Sequence, residues 1–96
     1  MPTVRTLVED SVATLVLDDE PRKNAMTPEL GDALRDAVRA LVPRRDVRAV
    51  ILTGAGEAFS GGGDLTMLER LRHVTKEESK ATMLAFYARY LSILDL

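Results

Sequence analysis

Three consecutive glycines, at positions 61–63, stand between a short apolar run and a helical pattern, and they restrict the possible folds more than any other feature. An ordered glycine loses more backbone freedom than any other residue. Three in a row therefore indicate positive φ angles, or the close approach of a ligand to bare main chain. The N–H groups at a helix N-terminus point outward, and the helix dipole there favours negative charge. The glycine loop predicts a site for a phosphate or a developing oxyanion, or else a tight strand-to-helix turn without a ligand.

Two apolar segments lie near the start of the chain. Residues 4–8 and 12–17 are rich in β-branched and apolar side chains, and a polar turn at residues 9–11 separates them. This pattern predicts an antiparallel hairpin. The second segment is apolar on both faces, so we expect at least part of it to be buried.

A helix is predicted between this hairpin and the glycine loop. Thr27, Pro28 and Glu29 give three agreeing start signals: a hydroxyl that can cap free N–H groups, a ring suited to the first helical position, and an acid that complements the dipole. Pro43 ends a pattern in which apolar residues recur at helical spacing on one face, namely Leu30, Ala33, Leu34, Ala37, Val38 and Leu41.

A second strand-like run follows this helix. Residues 49–53 form a continuous apolar segment bounded by Gly54 and Gly56, which predicts a short strand buried on both faces. The order strand, helix, strand indicates a parallel crossover. The sequence therefore predicts the α/β class.

Two further helices are expected after the glycine loop. Leu65, Leu68 and Leu71 lead a short helical pattern, and residues 75–78 form a capping box that begins a longer helix. The apolar residues of this last helix, between positions 81 and 96, circle it, so it needs cover on more than one side. Its two tyrosines, Tyr87 and Tyr90, are expected to be core residues rather than catalytic groups.

Composition argues against several kinds of site. The chain has 96 residues, 46% of them hydrophobic, which suits one small globular unit. Thirteen basic and fifteen acidic residues give a net charge of −2, which offers no electrostatic case for nucleic acid or an anionic membrane as a partner. With no cysteine and one histidine, we expect no metal site. The sequence has no signal-like apolar start and no stretch long enough to cross a bilayer, which predicts a cytoplasmic protein.

Two blocks of sequence resemble one known family. Residues 49–65, from the apolar run through Gly63, Asp64 and Leu65, look like the signature strand and loop of the crotonase (enoyl-CoA hydratase/isomerase) superfamily. Residues 22–27 resemble the loop before that family's first helix, although Pro21 stands one position later than is usual. The resemblance covers the whole chain. It implies the N-terminal portion of a crotonase-like ββα superhelix, so that residues 1–96 would be part of a domain, incomplete without a C-terminal continuation.

The resemblance also implies roles for individual residues. The family binds acyl-CoA thioesters and stabilises an enolate with two main-chain N–H groups, of which the first corresponds to Gly63 here. The loop of Lys23, Asn24 and Ala25 would lie along CoA, and the thioester end would be lined by Gly61, Asp64 and Leu65. From the residues alone, Asp64 is also expected to cap the following helix. The second donor and the acid–base residues would lie beyond Leu96.

Three functions are compatible with these patterns. The first is a segment of an acyl-CoA enzyme that hydrates 2-enoyl-CoA in its full-length parent, with no cofactor beyond the CoA of the substrate. The family resemblance implies a homo-oligomer, a trimer or hexamer, for that parent. The second is a truncated chain without catalytic activity that binds acyl-CoA or pairs with a partner. The third is a nucleotide-binding module that uses the glycine loop for phosphate.

Overall fold

The computed structural model describes residues 2–96 and has the α/β architecture that the sequence predicts. Its elements, in chain order, are β1 (Thr3–Glu9), β2 (Val12–Asp18), a first 3₁₀ turn (Glu20–Arg22), α1 (Pro28–Leu41), β3 (Ala49–Gly54), α2 (Leu65–Leu71), α3 (Lys76–Tyr90) and a second 3₁₀ turn (Leu91–Asp95). The predicted hairpin, three helices and third strand are all present. The two 3₁₀ turns were not predicted.

The three strands form one mixed sheet in the order β1-β2-β3. β1 pairs with β2 in antiparallel register, and β2 pairs with β3 in parallel register after the chain crosses over through α1. Asp10 and Ser11 join the hairpin with left-handed φ angles of 50° and 66°. Two such residues suit a two-residue hairpin turn whose twist matches that of the strands. The predicted parallel crossover is confirmed.

Helix α1 supplies most of the core against β2. The Thr27 hydroxyl accepts a hydrogen bond from the Leu30 N–H at 3.2 Å, and Pro28 occupies the first helical position. Burying each large apolar side chain contributes about 1.5–3 kcal/mol. The buried cluster between the helix and the sheet consists of Ala13, Leu15 and Leu17 from β2 with Leu30, Leu34, Val38 and Leu41 from α1.

The expectation that the third strand is buried on both faces is wrong. β3 lies at an edge of the sheet, and Ile51 is 53% exposed. Val50 and Leu52 point the other way and pack against the core cluster. In a strand, successive side chains point to opposite faces, and among the described residues only one face of β3 is covered.

The last two helices begin at the predicted capping residues. Asp64 precedes α2, and the Thr75 hydroxyl accepts from the Glu78 N–H at 3.1 Å before α3. Phe86 is the buried residue of α3, whereas Tyr87 is exposed over half its surface, so its expected place in the core is wrong. Tyr90 is half-buried against the core, as expected. Between residues 2 and 96, no helix combines the length and apolar character needed to cross a membrane.

Candidate functional site

The loop between β2 and α1, residues 19–27, is held in an unusual backbone conformation. Lys23 and Asn24 both have left-handed φ angles, 52° and 55°, which are uncommon outside glycine. Main-chain hydrogen bonds run from the N–H groups of Arg22 and Asn24 to the Asp19 oxygen, each 3.0 Å long. These bonds, together with the first 3₁₀ turn, stabilise a conformation that the side chains alone disfavour.

Asn24 does not line the cleft described below; it lies inside the protein. Its side chain is fully buried: Oδ1 accepts from the Asp19 N–H at 2.7 Å, and Nδ2 donates to the Ala55 and Ala58 oxygens at 3.0 and 2.9 Å. Its own carbonyl accepts from the Ser60 hydroxyl at 2.8 Å. Because these groups are already occupied within the chain, Asn24 has a structural role, and its expected contact with CoA stays a prediction.

The chain after β3 folds back closely over Asn24, and Gly54 makes this approach possible. A Cβ at Gly54 would overlap the carbonyl oxygens of Ala58 and Phe59 and would lie 2.7 Å from the Asn24 amide nitrogen. Separations this short require something to move, and here most of the obstacles are backbone. Gly54 therefore brings residues 55–60 onto the Asn24 side chain.

The glycine loop is joined to the loop of residues 19–27 by main-chain hydrogen bonds. The Gly61 N–H donates to the Lys23 oxygen and the Met26 N–H donates to the Gly62 oxygen, both at 2.7 Å. Met26 and Gly63 form an isolated parallel bridge. The two sequence blocks are thus fixed against each other.

Of the three glycine N–H groups, two have acceptors within the chain. Gly61 donates to Lys23, and Gly62 donates to the Ser60 hydroxyl at 3.1 Å. The Gly63 N–H has no internal acceptor among residues 2–96. Because a trans peptide directs its C=O and N–H to opposite sides, the bond from Met26 to the Gly62 oxygen turns the Gly63 N–H away from the 19–27 loop.

An open cleft of about 730 Å³ lies between the two loops and α2. The predicted site residues that line it are Lys23, Ala25, Gly61, Gly63, Asp64 and Leu65. Leu65 is 80% exposed there, and the Asp64 carboxylate accepts from the Thr66 N–H at 3.1 Å as the expected cap of α2. The structure therefore brings together every predicted site residue except Asn24.

The charges around the cleft favour an anionic ligand. Its cationic side chains are Arg22, Lys23 and Arg70, against the two carboxylates of Glu29 and Asp64. Phosphate groups pair with such cations, and the apolar side chains of Met67 and Leu68 on α2 also line the cleft. The part of the chain that the structure describes has no cluster of three His, Asp or Glu residues arranged to hold a metal ion.

Two features of the site were not predicted from the sequence. Ser60 links the loops through its hydroxyl, and the tight approach at Gly54 positions the chain before the glycines. Ser60 carried a usable signal, since hydroxyl side chains in loops often bond nearby main chain. Its carbonyl partner at Asn24, however, lies 36 residues away, and no local pattern identifies it.

Together, fold and site define an α/β chain in which a parallel strand–helix–strand unit supports a glycine loop beside an open cleft. The profile of the enoyl-CoA hydratase/isomerase family matches residues 8–95. The chain therefore belongs to the enoyl-CoA hydratase/isomerase family, and the expected crotonase relationship is confirmed.

Individual relatives agree with this assignment. A Thermus thermophilus protein bearing an enoyl-CoA hydratase name is 44% identical over 68 residues, 71% of this chain and 27% of the relative. A hexahydroindene-carboxyl-CoA hydrolase from Mycobacterium tuberculosis is 32% identical over 92 residues, 94% of this chain and 37% of the relative. The solved structure of an enoyl-CoA hydratase from Polaromonas sp. JS666 matches with a TM-score of 0.79 and 26% identity, covering 95% of this chain and 35% of that one. The chain thus spans between a quarter and two fifths of the length of these three relatives.

Proposed function

We propose that this chain is the acyl-CoA-binding part of an enzyme that hydrates 2-enoyl-CoA thioesters, with the Gly63 N–H as a donor to the thioester oxygen. The observation that carries this proposal is the Gly63 amide, which lines the cleft and has no internal acceptor among the described residues. Family membership and the cationic side chains around the cleft support an anionic thioester ligand.

The chemistry needs an N–H donor because negative charge gathers on the thioester oxygen as water adds to the double bond. A donor already fixed in place stabilises that charge, and removing one such donor typically slows an enzyme by about 100- to 1,000-fold. The second donor and the acid–base groups are expected, from the family resemblance, beyond Leu96. Hydration is therefore proposed for the protein that contains the segment. One of the matched relatives, by contrast, bears the name of a hydrolase.

A matched pair of variants tests the Gly63 donor. Gly63→Pro removes the N–H, whereas Gly63→Ala keeps it, and the added Cβ would meet only the Leu68 side chain at an ordinary 3.5 Å. We expect the wild-type chain and Gly63→Ala to bind butanoyl-CoA more tightly than CoA in calorimetric titrations. Gly63→Pro should lose that preference.

A titration with ATP and a hydration assay decide between functions. ATP carries phosphates but no thioester, so binding of ATP with no response to butanoyl-CoA would contradict the proposal in favour of a nucleotide-binding module. Hydration of but-2-enoyl-CoA, followed by the loss of the conjugated thioester absorbance, measures catalysis directly. In a protein that turns this substrate over, Gly63→Pro should lower turnover by about 100- to 1,000-fold while the fold is kept.

A second candidate function is that of a non-catalytic chain that binds acyl-CoA or pairs with a partner. It is favoured by the exposed apolar side chains of α3 and the second 3₁₀ turn, which include Leu84, Leu91 and Leu94. Binding of butanoyl-CoA without any hydration of but-2-enoyl-CoA by the longer protein that contains the segment would favour this function. Homo-oligomeric assembly and a cytoplasmic location stay predictions from the sequence.

A further inference from the structure

The Ser60 hydroxyl connects the two loops that border the cleft. Its Oγ donates to the Asn24 carbonyl at 2.8 Å and accepts from the Gly62 N–H at 3.1 Å. A serine hydroxyl has a single donor, and here that donor is directed at the main chain of the facing loop. The glycine loop is therefore fixed through a side chain as well as through the two main-chain bonds described above.

The position of this hydroxyl matters because the glycine loop, residues 61–63, has no side chains that restrict its backbone conformation. Gly62 has a φ of +98°, and nothing lies within 4 Å of where its Cβ would be. No contact around the Cβ position of Gly62 therefore selects this conformation. The hydrogen bond from the Gly62 N–H to Ser60 fixes the peptide on one side of Gly62, and the bond from Met26 to the Gly62 oxygen fixes the other.

We propose that Ser60 is a positioning residue for the Gly63 N–H. Its hydroxyl holds the glycine loop in the one orientation that leaves this amide free and turned toward the cleft. The inference rests on the proposed function of Gly63. Without the hydroxyl, the Gly62 N–H and the Asn24 carbonyl both lose their partner, and the loop can turn the Gly63 amide to other acceptors or to water.

The test compares Ser60→Ala with Ser60→Thr, which restores a hydroxyl, and with Ser79→Ala as a control. Ser79 lies on α3, and its hydroxyl makes no hydrogen bond within residues 2–96. Each ¹⁵N-labelled protein is titrated with CoA and with butanoyl-CoA, and the Gly63 amide resonance is followed. CoA reports binding that does not involve the acyl group, the difference in affinity between the ligands reports the acyl group as a whole, and the shift of the Gly63 amide reports the thioester oxygen.

We expect Ser60→Ala to bind CoA within about twofold of wild type but to lose roughly 5- to 10-fold of the preference for butanoyl-CoA, the size of one net hydrogen bond. The downfield shift of the Gly63 amide with butanoyl-CoA should disappear in Ser60→Ala. It should return in Ser60→Thr and persist in Ser79→Ala. If Ser60→Ala does not fold, Ser60→Cys, with a weakly donating thiol of similar size, carries the same expectation.

Two results would overturn the role proposed for Ser60 without contradicting the proposed function of Gly63. One is a Ser60→Ala protein with the wild-type shift and ligand preference. The other is an equal loss of affinity for CoA and butanoyl-CoA that Ser60→Thr does not reverse. General loosening of the fold would produce such an equal loss. A wild-type chain that shows no preference for butanoyl-CoA would instead contradict the proposed function itself, and the inference would fall with it.

Discussion

The backbone conformation and the hydrogen bonds at position 24 together explain why this residue is an asparagine. The side-chain oxygen accepts the Asp19 N–H, and the amide nitrogen donates to the carbonyls of Ala55 and Ala58. A primary amide offers one acceptor group and two N–H donors on a planar frame, which neither a carboxylate nor an alkyl side chain can match. The left-handed φ of 55° is also better tolerated by asparagine than by most other residues.

We expect Asn24→Asp to destabilise the chain by about 3 kcal/mol. The carboxylate cannot donate to the Ala55 and Ala58 carbonyls, so two acceptors lose their partner beside a buried charge. The measurement is the free energy of unfolding in urea. Lys23→Gly is the control, because it changes the neighbouring left-handed residue to glycine and should alter stability by less than about 1 kcal/mol. An Asn24→Asp protein as stable as wild type would show that the buried amide does not hold the loops together.

At the scale of elements, α3 is attached to the start of α1 by its last turn. The Tyr90 hydroxyl donates to the Thr27 carbonyl at 2.5 Å, and Arg89 Nε lies 2.7 Å from the Asp32 carboxylate. A Cβ at Gly31 would lie 2.8 Å from the Tyr90 ring, so glycine permits the two helices to approach at this point. Because Thr27 also caps α1, the contact links α3 to the helix that follows the 19–27 loop.

We expect Tyr90→Phe to cost about 1 kcal/mol at neutral pH. The variant loses one hydrogen bond, while the Thr27 oxygen keeps its bond from the Gly31 N–H. Tyr87→Phe is the matched control, since the Tyr87 side chain is exposed over half its surface and its hydroxyl makes no hydrogen bond within the described chain. Urea unfolding of the three proteins at neutral pH gives the comparison. Equal losses in the two variants would contradict a specific contribution of the Tyr90 hydroxyl.

The same pair of variants gives a pH-dependent prediction. Burial raises the pKa of Tyr90 well above its ordinary value, so the folded protein keeps the phenol neutral. The phenol of the unfolded chain ionises near pH 10. The stability that the buried, neutral Tyr90 contributes to the folded protein is therefore fully present below about pH 10 and is lost as the pH rises beyond it. Wild type and Tyr87→Phe should therefore lose more stability than Tyr90→Phe between about pH 8 and about pH 11. Parallel pH profiles for wild type and Tyr90→Phe would contradict this.

Local signals were sufficient to predict the helices and the hairpin. Thr27 and Thr75 cap the helices that they were expected to start, because a cap depends only on residues within one turn. The burial of β3 could not be predicted in this way. The apolar run at residues 49–53 indicates that the strand can be covered on both sides, but whether a partner covers it depends on the other elements of the sheet.

The part of the site that lies within one short sequence motif could be predicted. Gly61, Gly63 and Asp64 stand in one short motif, and the structure places them in one cleft. The role of Asn24 could not be read from sequence, because the two carbonyls that its amide nitrogen binds lie 31 and 34 residues further on. A polar residue in a loop motif suggests a ligand contact, and only the fold shows that its amide is already occupied.

At the scale of the whole molecule, the surface carries an apolar stripe along α3 and the second 3₁₀ turn. Its members lie three or four residues apart and are each more than half exposed: Leu84, Tyr87, Leu91 and Leu94. Spacing of this kind places side chains along one line of a helix, as in the seam between paired helices. Phe86 faces the other way and is buried, so the helix is apolar on both sides as the sequence indicated.

We expect this stripe to make the 96-residue chain self-associate as its concentration rises, because exposed apolar surface gains free energy when it is removed from water. Replacing Leu84 and Leu91 together by lysine should shift sedimentation velocity profiles toward the monomer. Each buried leucine contributes about 1.5–3 kcal/mol, so two should weaken association by at least 100-fold. Leu7→Lys is the control, since Leu7 is also more than half exposed but lies on β1, away from α3. A chain that is monomeric at every concentration, or one in which Leu7→Lys has the same effect as the double variant, would contradict association through this stripe.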